Sequence, residues 1–414
     1  MRVIFVNRFF FPDHSATSQM LSDLAFALAG RTMTIEVVTS RQRYDAPHVI
    51  LPARESVQGV EIHRVWTSRF GRQNLIGRAA DYLTFYVTAA WMVWRLARRG
   101  DVVVAKTDPP MVSVVAWPVA RLRGAKLINW MQDIFPEIAE RVGVGGGPVS
   151  RLGFRAMRWL RDRSLMGADM NIAVGERMAE HLTRLGVARD RLNLIPNWAD
   201  GAFIHPVERA DNPLRRDWGL GEDFVVGYSG NLGRAHEADT LVAAITAVTR
   251  AVPSPGRPRV RWLFIGGGAL VEGMRQQLAK SGAAADVEFR PYAPREQLAE
   301  SLSAADVHLV SLRAELEGLV VPSKVYGIAA AGRPTIFIGD RDGEVARIVN
   351  RFDCGMTIAQ GDGDALASKV LELAARPELC RAMGLRARRA FEQGFDKPRG
   401  ADRWQALLRQ VSTG

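Results

Sequence analysis

Residues 316–334 read LEGLVVPSKVYGIAAAGRP. An acid (Glu317), a hydroxyl (Ser323) and an amine (Lys324) fall within one short segment. Pro322 suits the first turn of a helix, and the first N–H groups of a helix have no partner within it. An amine beside free amides is the chemistry of a diphosphate cradle. Glu317, on the turn before it, can accept hydrogen bonds from sugar hydroxyls. The plainer reading is a capped helix with a solvated Lys and Glu. Two other segments end strands in glycine. GYSGNLGRAHEADT (227–240) runs through Gly230, Asn231 and Gly233 into a helix, with Arg234 and His236 as added donors. FIGGGAL (264–270) repeats the pattern at Gly266, Gly267 and Gly268. Glycine lets backbone approach a ligand. Neither segment carries the full dinucleotide fingerprint with its later acid, and a tight strand-to-helix turn explains each taken alone.

The first half holds a second group of polar residues after apolar runs. FFFPDHSATSQM (9–20) supplies Asp13, His14, Ser15, Thr17 and Ser18. KTDPP (106–110) supplies Asp108, and NWMQDIFPE (129–137) supplies Gln132, Asp133 and Glu137. Any of these can orient an acceptor hydroxyl or accept its proton. Turn chemistry is the competing explanation, since Asp and Pro favour turns. The acidic triplets DRD (340–342) and DGD (362–364) lie among glycines and read as turns, so no metal site is expected.

The elements that must position these residues alternate. VIFVN, TIEVVTS, GVEIHRVW, DVVVAKTDPP, KLINWMQDIFPE and ADMNIAVG follow one another, with a loop between TIEVVTS and GVEIHRVW and helical patterns between the others, among them a long one near 75–99 and one near 148–167. The alternation restarts at DFVVGYSGNLG after NLIPNWAD (193–200). Two α/β halves follow, each a doubly wound parallel sheet covered by helices. The expected division is 1–200, 201–390 and a last helix, 391–414, that returns to the first domain. Ligands of such sheets bind at the carboxyl ends of the strands, and a cleft between the halves is the default site.

The 414 residues are 47% apolar and 24% charged, ordinary for a globular chain of two domains. Met1–Val6 reads as a buried strand and not as a signal peptide. Cys354 and Cys380 suit neither a disulfide framework nor zinc, which points to a reducing cytoplasm. Net charge is +11, and nearly all of the excess lies in residues 1–197, with about 27 Lys/Arg against about 17 Asp/Glu. No nucleic-acid-binding signature accompanies it. YLTFYVTAAWMVWRLARRG (82–100) has an apolar run too short to span a bilayer. It is either a buried helix or one whose outer face, with Trp91, Trp94, Arg95, Arg98 and Arg99, rests on a membrane surface. The helix at 148–164 offers Arg151, Arg155 and Arg158 with Leu152, Met157, Trp159 and Leu160, which is either a solvated face or one facing anionic headgroups.

The combination of FFFPDHSATSQMLSDLAFALA, WMQDIFPE, LIPNWAD, YSGNLGRAHEADTL, FIGGGA, FRPYAPREQL, AADVHLVSL and EGLVVPSKVYGIAAAGRP resembles family 4 of the retaining glycosyltransferases, which have the GT-B fold. The likeness covers essentially the whole chain and is nearest to the branch that assembles bacterial exopolysaccharide, O-antigen and colanic acid. It implies a C-terminal domain that binds a nucleotide-sugar and an N-terminal domain that binds the acceptor. It places Glu317 at the donor sugar. Gly230, Asn231, Arg234, His236, Gly266, Gly267, Tyr292, Leu319, Val320, Ser323 and Lys324 would lie around the donor. Ser15, Thr17, Asp108 and Gln132 would face the acceptor, and His14 and Asp133 would join Glu317 in the chemistry. It further implies no metal and no cofactor beyond the nucleotide-sugar co-substrate. A lipid-linked saccharide would be the acceptor, and the enzyme would sit on the anionic inner face of the cytoplasmic membrane.

The sequence departs from the family pattern in two places. The family's second Glu, which holds the ribose, falls on Gly327 when counted from the alanine-glycine end and on Val325 when counted from Glu317. Asn231 and His236 stand near the usual Arg and Lys, so Arg234 and Lys324 would carry the charge on the diphosphate. A nucleotide-sugar epimerase or hydrolase of the same fold, or an inactive sugar- or membrane-binding relative, are the competing readings.

Overall fold

The computed structural model describes residues 1–413 except 14, 32, 45, 47, 72–74, 145–146 and 252–257. The chain divides into two compact units: Met1–Pro196 with Gly318–Val320 and Lys397–Gly414, and Asn197–Glu317 with Val321–Asp396.

The first unit contains β1 (Arg2–Val6), β2 (Thr34–Ser40), β3 (Arg54–Val57), β4 (Val60–Val65), β5 (Val102–Lys106), β6 (Lys126–Trp130), β7 (Met170–Ala173) and β8 (Leu192–Leu194). Its helices are α1 (Ala16–Ala29), α2 (Leu75–Leu96), α3 (Val112–Arg123), α4 (Glu137–Arg141), α5 (Pro148–Gly167) and α6 (Glu176–Arg184). The strands form one sheet in the order β3-β4-β2-β1-β5-β6-β7-β8. It is parallel except at β3, which pairs antiparallel with β4. RESV, read from sequence as part of a loop, is therefore an edge strand. Its alternating exposed and half-buried residues leave no apolar run to mark it. Central strands such as β1 and β5 are buried along nearly their whole length, as expected where helices cover both faces. The chain order reverses between β1 and β5, so this sheet has its topological switch point there.

The second unit contains α7 (Pro213–Asp217), β9 (Phe224–Ser229), α8 (Asp239–Arg250), β10 (Val260–Ile265), α9 (Val271–Ser281), β11 (Val287–Arg290), α10 (Leu298–Ser303), β12 (Val307–Ser311), α11 (Lys324–Ala330), β13 (Thr335–Ile338), α12 (Glu344–Phe352), β14 (Gly355–Ile358), α13 (Gly363–Ala375) and α14 (Pro377–Gly394). Its sheet order is β11-β10-β9-β12-β13-β14, all parallel. This is the order of the doubly wound dinucleotide-binding sheet, with the switch point between β9 and β12.

The last helix, α15 (Lys397–Thr413), groups with the first unit and starts later than 391, because α14 runs on to Gly394. It docks through Trp404, fully buried against Trp130 with ring centroids 4.7 Å apart. Arg31 pairs with Asp402 at 2.6 Å beside this packing. Both cysteines are buried and free. Among the described residues no helix is long and apolar enough to cross a membrane.

Candidate functional site

In the second unit the two glycine turns pack against each other at the carboxyl ends of β9 and β10. Gly230 N–H donates to Ile265 O at 2.8 Å, and Leu232 N–H donates to Gly267 O at 2.7 Å. A Cβ at Gly266 would stand 2.3 Å from Gly230 O, and one at Gly268 2.3 Å from Leu232 O. Both glycines also have positive φ, 129° and 138°. The turns can close only without side chains there. Tyr292 is 60% exposed and lies beside this turn, 3.1 Å from where a Gly266 Cβ would be. It offers a flat aromatic surface at the mouth of the site.

Lys324 lies over the first turn. Its Nζ is 3.8 Å from the Cβ position of Gly230. It donates to Tyr228 Oη at 2.6 Å and sits 3.9 Å from the centre of that ring. Among the described residues it has no carboxylate partner. Burial pushes its pKa down to about 7. A half-buried lysine facing a glycine turn, without a counter-ion, is a site prepared for an anion. Arg234 is exposed nearby in the same loop. Asn231 is exposed too, and its carbonyl accepts from Tyr228 Oη at 3.2 Å.

His236 Nδ1 contacts Ser311 O at 2.5 Å, joining the loops after β9 and β12 across the switch point. A carbonyl can only accept, so Nδ1 carries the proton and Nε2 is left as an acceptor. Burial, and then the charge of Lys324, lower the His236 pKa to about 4, so the ring stays neutral. The neighbouring Glu237 caps α8, accepting from Thr240 N–H at 3.0 Å.

The structure adds three details to the motif. Helix α11 starts at Lys324, with Ser323 as its N-cap and Pro322 before it, and the Ser323 side chain makes no capping bond. Glu317 Oε1 accepts from Glu344 N–H at 2.9 Å, which anchors the carboxylate at the start of α12. Gly327 does not face polar surroundings: a Cβ there would meet Leu302 Cδ1 at 3.6 Å and Ile204 Cδ1 at 3.8 Å. Val325 is buried as well. A carboxylate at 327 would point at aliphatic carbons, and one at 325 would be buried, each a costly placement for a charge.

In the first unit the polar loops meet at the β1/β5 switch point. Thr17 Oγ1 donates to Asp108 Oδ2 at 3.1 Å. Lys106, fully buried, donates to Thr17 O at 3.0 Å with its Nζ 3.8 Å from the centre of the Trp130 ring. Burial lowers its pKa well below the usual lysine value. Gln132 N–H donates to Thr107 Oγ1 at 3.3 Å. Asp133 is pushed up to about 7 by burial, with the Thr107 bond opposing and the Asp108 charge adding to the rise. Its Oδ1 is buried with no hydrogen-bond partner. Buried carboxyl oxygens normally find a partner, and this one has none among the described residues.

Other residues of these loops are placed as follows. Asp13 accepts from Ser15 N–H at 2.8 Å and from Tyr44 N–H. Ser15 is the N-cap of α1 without a side-chain cap bond. Glu137 is held by Arg161 through paired bonds of 3.0 and 2.7 Å, which removes it from the candidates. Leu319 and Val320, expected on the donor side, group with the first unit, where Ile134 N–H donates to Leu319 O at 2.8 Å and Asp133 bridges Val320. His14 lies outside the described residues. The DRD and DGD triplets are used locally: Asp342 pairs with Arg347 at 2.9 Å, and Asp362 caps α13.

Tyr228 and Lys106 were not apparent as site residues from sequence. Both sit at the carboxyl ends of apolar strands, where periodicity signals only core.

A family model described as a glycosyl transferase 4-like domain matches residues 16–198, and one for glycosyl transferases group 1 matches residues 211–390. The chain belongs to the family 4 glycosyltransferases. Among curated members, a probable glycosyltransferase of Pseudomonas aeruginosa, WbjE, is 29% identical over 67% of each chain. WcaI of Escherichia coli, a putative colanic acid biosynthesis glycosyl transferase, is 25% identical over 56% of each. The matched region thus spans two thirds or less of these relatives. The fold is shared with Anabaena Alr3699/HepE, solved with UDP-glucose, at a TM-score of 0.72 and 16% identity, covering 99% of this chain and all of the other. The family match gives the two doubly wound units their common name, the GT-B fold.

Proposed function

We propose that this glycosyltransferase moves a sugar, with retention of configuration, from a nucleotide-sugar to a lipid-diphosphate-linked saccharide during bacterial surface polysaccharide assembly. The observation that carries the donor half is Lys324, an amine over the Gly230 turn with no carboxylate partner among the described residues. The UDP-glucose complex of HepE and the colanic acid role named for WcaI support the same reading.

The diphosphate would be met by Lys324, Arg234 and the backbone of the glycine turns, with Tyr292 as a platform for the base. Charge on the leaving diphosphate is then handled by protein groups, and the reading assigns no step to a metal. The step assigned to the acceptor is same-face attack on the donor sugar, with no covalent link to the protein. The departing diphosphate takes the acceptor's proton, and Asp133 orients the acceptor hydroxyl. Stabilising the leaving charge and positioning the partners are the main contributions.

The membrane half of the proposal rests on the surface of the first unit. Ile76, Leu83, Val87, Trp91 and Trp94 are exposed along one side of α2, and Trp91 is 61% exposed. Trp159 and Leu152 are exposed on α5 with Arg151 and Arg155. Arg158 is not part of that free basic face, since it pairs with Glu140 at 2.5 Å. Apolar and basic side chains mixed on helix surfaces suit peripheral attachment to the inner leaflet.

Glu317 supplies the test of the donor-sugar end. Glu317→Gln keeps an oxygen to accept from Glu344 N–H, whereas Glu317→Ala loses the cap at a cost of about 1 kcal/mol. Both should cut transfer roughly a hundredfold while nucleotide affinity, measured by calorimetry, changes only a few-fold. Normal transfer by Glu317→Gln would remove the carboxylate's charge from the chemistry.

A further inference from the structure

A cavity of about 390 Å³ lies in the first unit, away from the switch point, lined by Trp117, Arg121, Lys126, Asp169 and Arg191 among small residues. Its wall comes from the segments that precede β6, β7 and β8. It therefore opens at the amino ends of the strands, whereas Asp108 and Asp133 follow the carboxyl ends of β5 and β6.

The charges in it are unbalanced. Asp169 is its only acid among the lining residues, and it is already used: it pairs with Lys126 at 3.3 Å and accepts from Leu127 N–H at 2.8 Å. Arg191 spends one N–H on Met166 O at 3.1 Å. The carbonyl ends of α3 and α5 favour nearby cations and explain part of this basicity. Arg121 stands in the last turn of α3, exposed and with no carboxylate partner among the described residues, and Arg191 has donors left over. Trp117 Nε1 is spent on Gly167 O at 3.0 Å, so the ring serves as wall. A Cβ at Gly167 would come within 2.3 Å of that ring, so the wall depends on glycine there.

Next to these cations in sequence stand exposed apolar side chains. Leu122 is 73% exposed beside Arg121, and Met166 is exposed beside Gly167. Arg123 donates to Ala97 O at 2.9 Å and lies over Trp94 at 5.2 Å, which joins the end of α3 to the end of the exposed α2 face. A cavity lined by two arginines and a lysine, with exposed apolar residues next to its lining in sequence, suits a phosphate at the level of a bilayer surface.

We propose that this cavity holds the phosphate of an anionic phospholipid headgroup and so docks the first unit on the membrane at a defined point. This deepens the membrane half of the function proposed above and rests on it.

The test uses the full chain and vesicles of equal parts phosphatidylglycerol and phosphatidylcholine. Arg121→Glu/Arg191→Glu is compared with a charge-matched control in the second unit, Arg216→Glu/Arg250→Glu. The cavity variant should lose roughly tenfold in vesicle partitioning, the control should lose little, and both should keep the wild-type melting temperature and nucleotide binding. Equal losses in both variants, or none in the cavity variant, would overturn the cavity's role and leave the membrane reading intact. A wild-type chain that ignores vesicles would overturn both. If inorganic phosphate raises the melting temperature of the wild type but not of the cavity variant, while vesicle binding is the same, the cavity binds a soluble anion and the lipid assignment is wrong.

Discussion

Replacing Lys324 with methionine is expected to weaken nucleoside-diphosphate binding about ten- to a hundredfold. A hydrogen bond to a charged group contributes about 1.5–3 kcal/mol, and 1.4 kcal/mol is a factor of ten. Lys324 is suited to make such bonds because no carboxylate among the described residues competes for it. Its neighbours are the Tyr228 hydroxyl and ring and the Gly230 turn. The pH dependence follows from its environment. Burial favours the neutral amine and brings its pKa to about 7, whereas a bound diphosphate favours the ammonium. The complex therefore holds the proton more tightly than the free enzyme, and affinity should fall as pH rises through 7. Calorimetric titration with nucleoside diphosphates on both sides of pH 7 measures this. Lys324→Arg should keep the affinity and lose most of the pH dependence, because guanidinium does not titrate there. An unchanged, pH-independent affinity in Lys324→Met would remove the lysine from the donor site.

Asp133→Asn is expected to lower kcat by roughly a hundredfold with donor affinity unchanged. The substitution preserves shape and removes the ionisable group. Asp133 is raised to about 7 by burial, and its Oδ1 is buried without a partner. Only the carboxylate form accepts a hydrogen bond from an acceptor hydroxyl through both oxygens. Activity should therefore rise with pH through about 7 on this account, and the rise should vanish in Asp133→Asn. Lys324 imposes the opposite trend, since its cationic form is lost above 7. Together they predict a bell-shaped profile of kcat/KM with its maximum near neutrality. A profile whose acid limb survives in Asp133→Asn would assign that limb to another group.

Much of the architecture is legible in the sequence because parallel strands buried on both faces are apolar runs, and long surface helices keep their period. β1, β5, β9 and β12 are of the first kind, and α2 and α5 of the second. The edge strand β3 is not legible, since its residues alternate without an apolar side. The site is legible only in part. GNLG, GGG and PSK mark where the backbone comes close and where a cation stands. What those residues touch is set by contacts far apart in the chain. Glu317 meets Glu344, Lys324 meets Tyr228, and Glu137 meets Arg161. No local pattern distinguishes Glu137, locked in an ion pair, from Asp133, whose oxygen has no partner. Likewise the absent second acid looks like a missing ligand in sequence. The structure gives a physical reason for Gly327: its side-chain direction leads to Leu302 and Ile204, so a carboxylate there would be buried against aliphatic carbons.

The central claim is that this chain transfers a sugar from a nucleotide-sugar to a lipid-linked acceptor. Its most direct test is nucleotide release by the full chain from a panel of UDP-, GDP- and dTDP-sugars, with and without a bacterial membrane lipid extract, with the products resolved by mass and anomeric configuration. The account predicts release that depends on the extract, with one donor strongly preferred and a lipid-soluble product that keeps the donor's anomeric configuration. Formation of an epimer or free sugar at the same rate without the extract would contradict it.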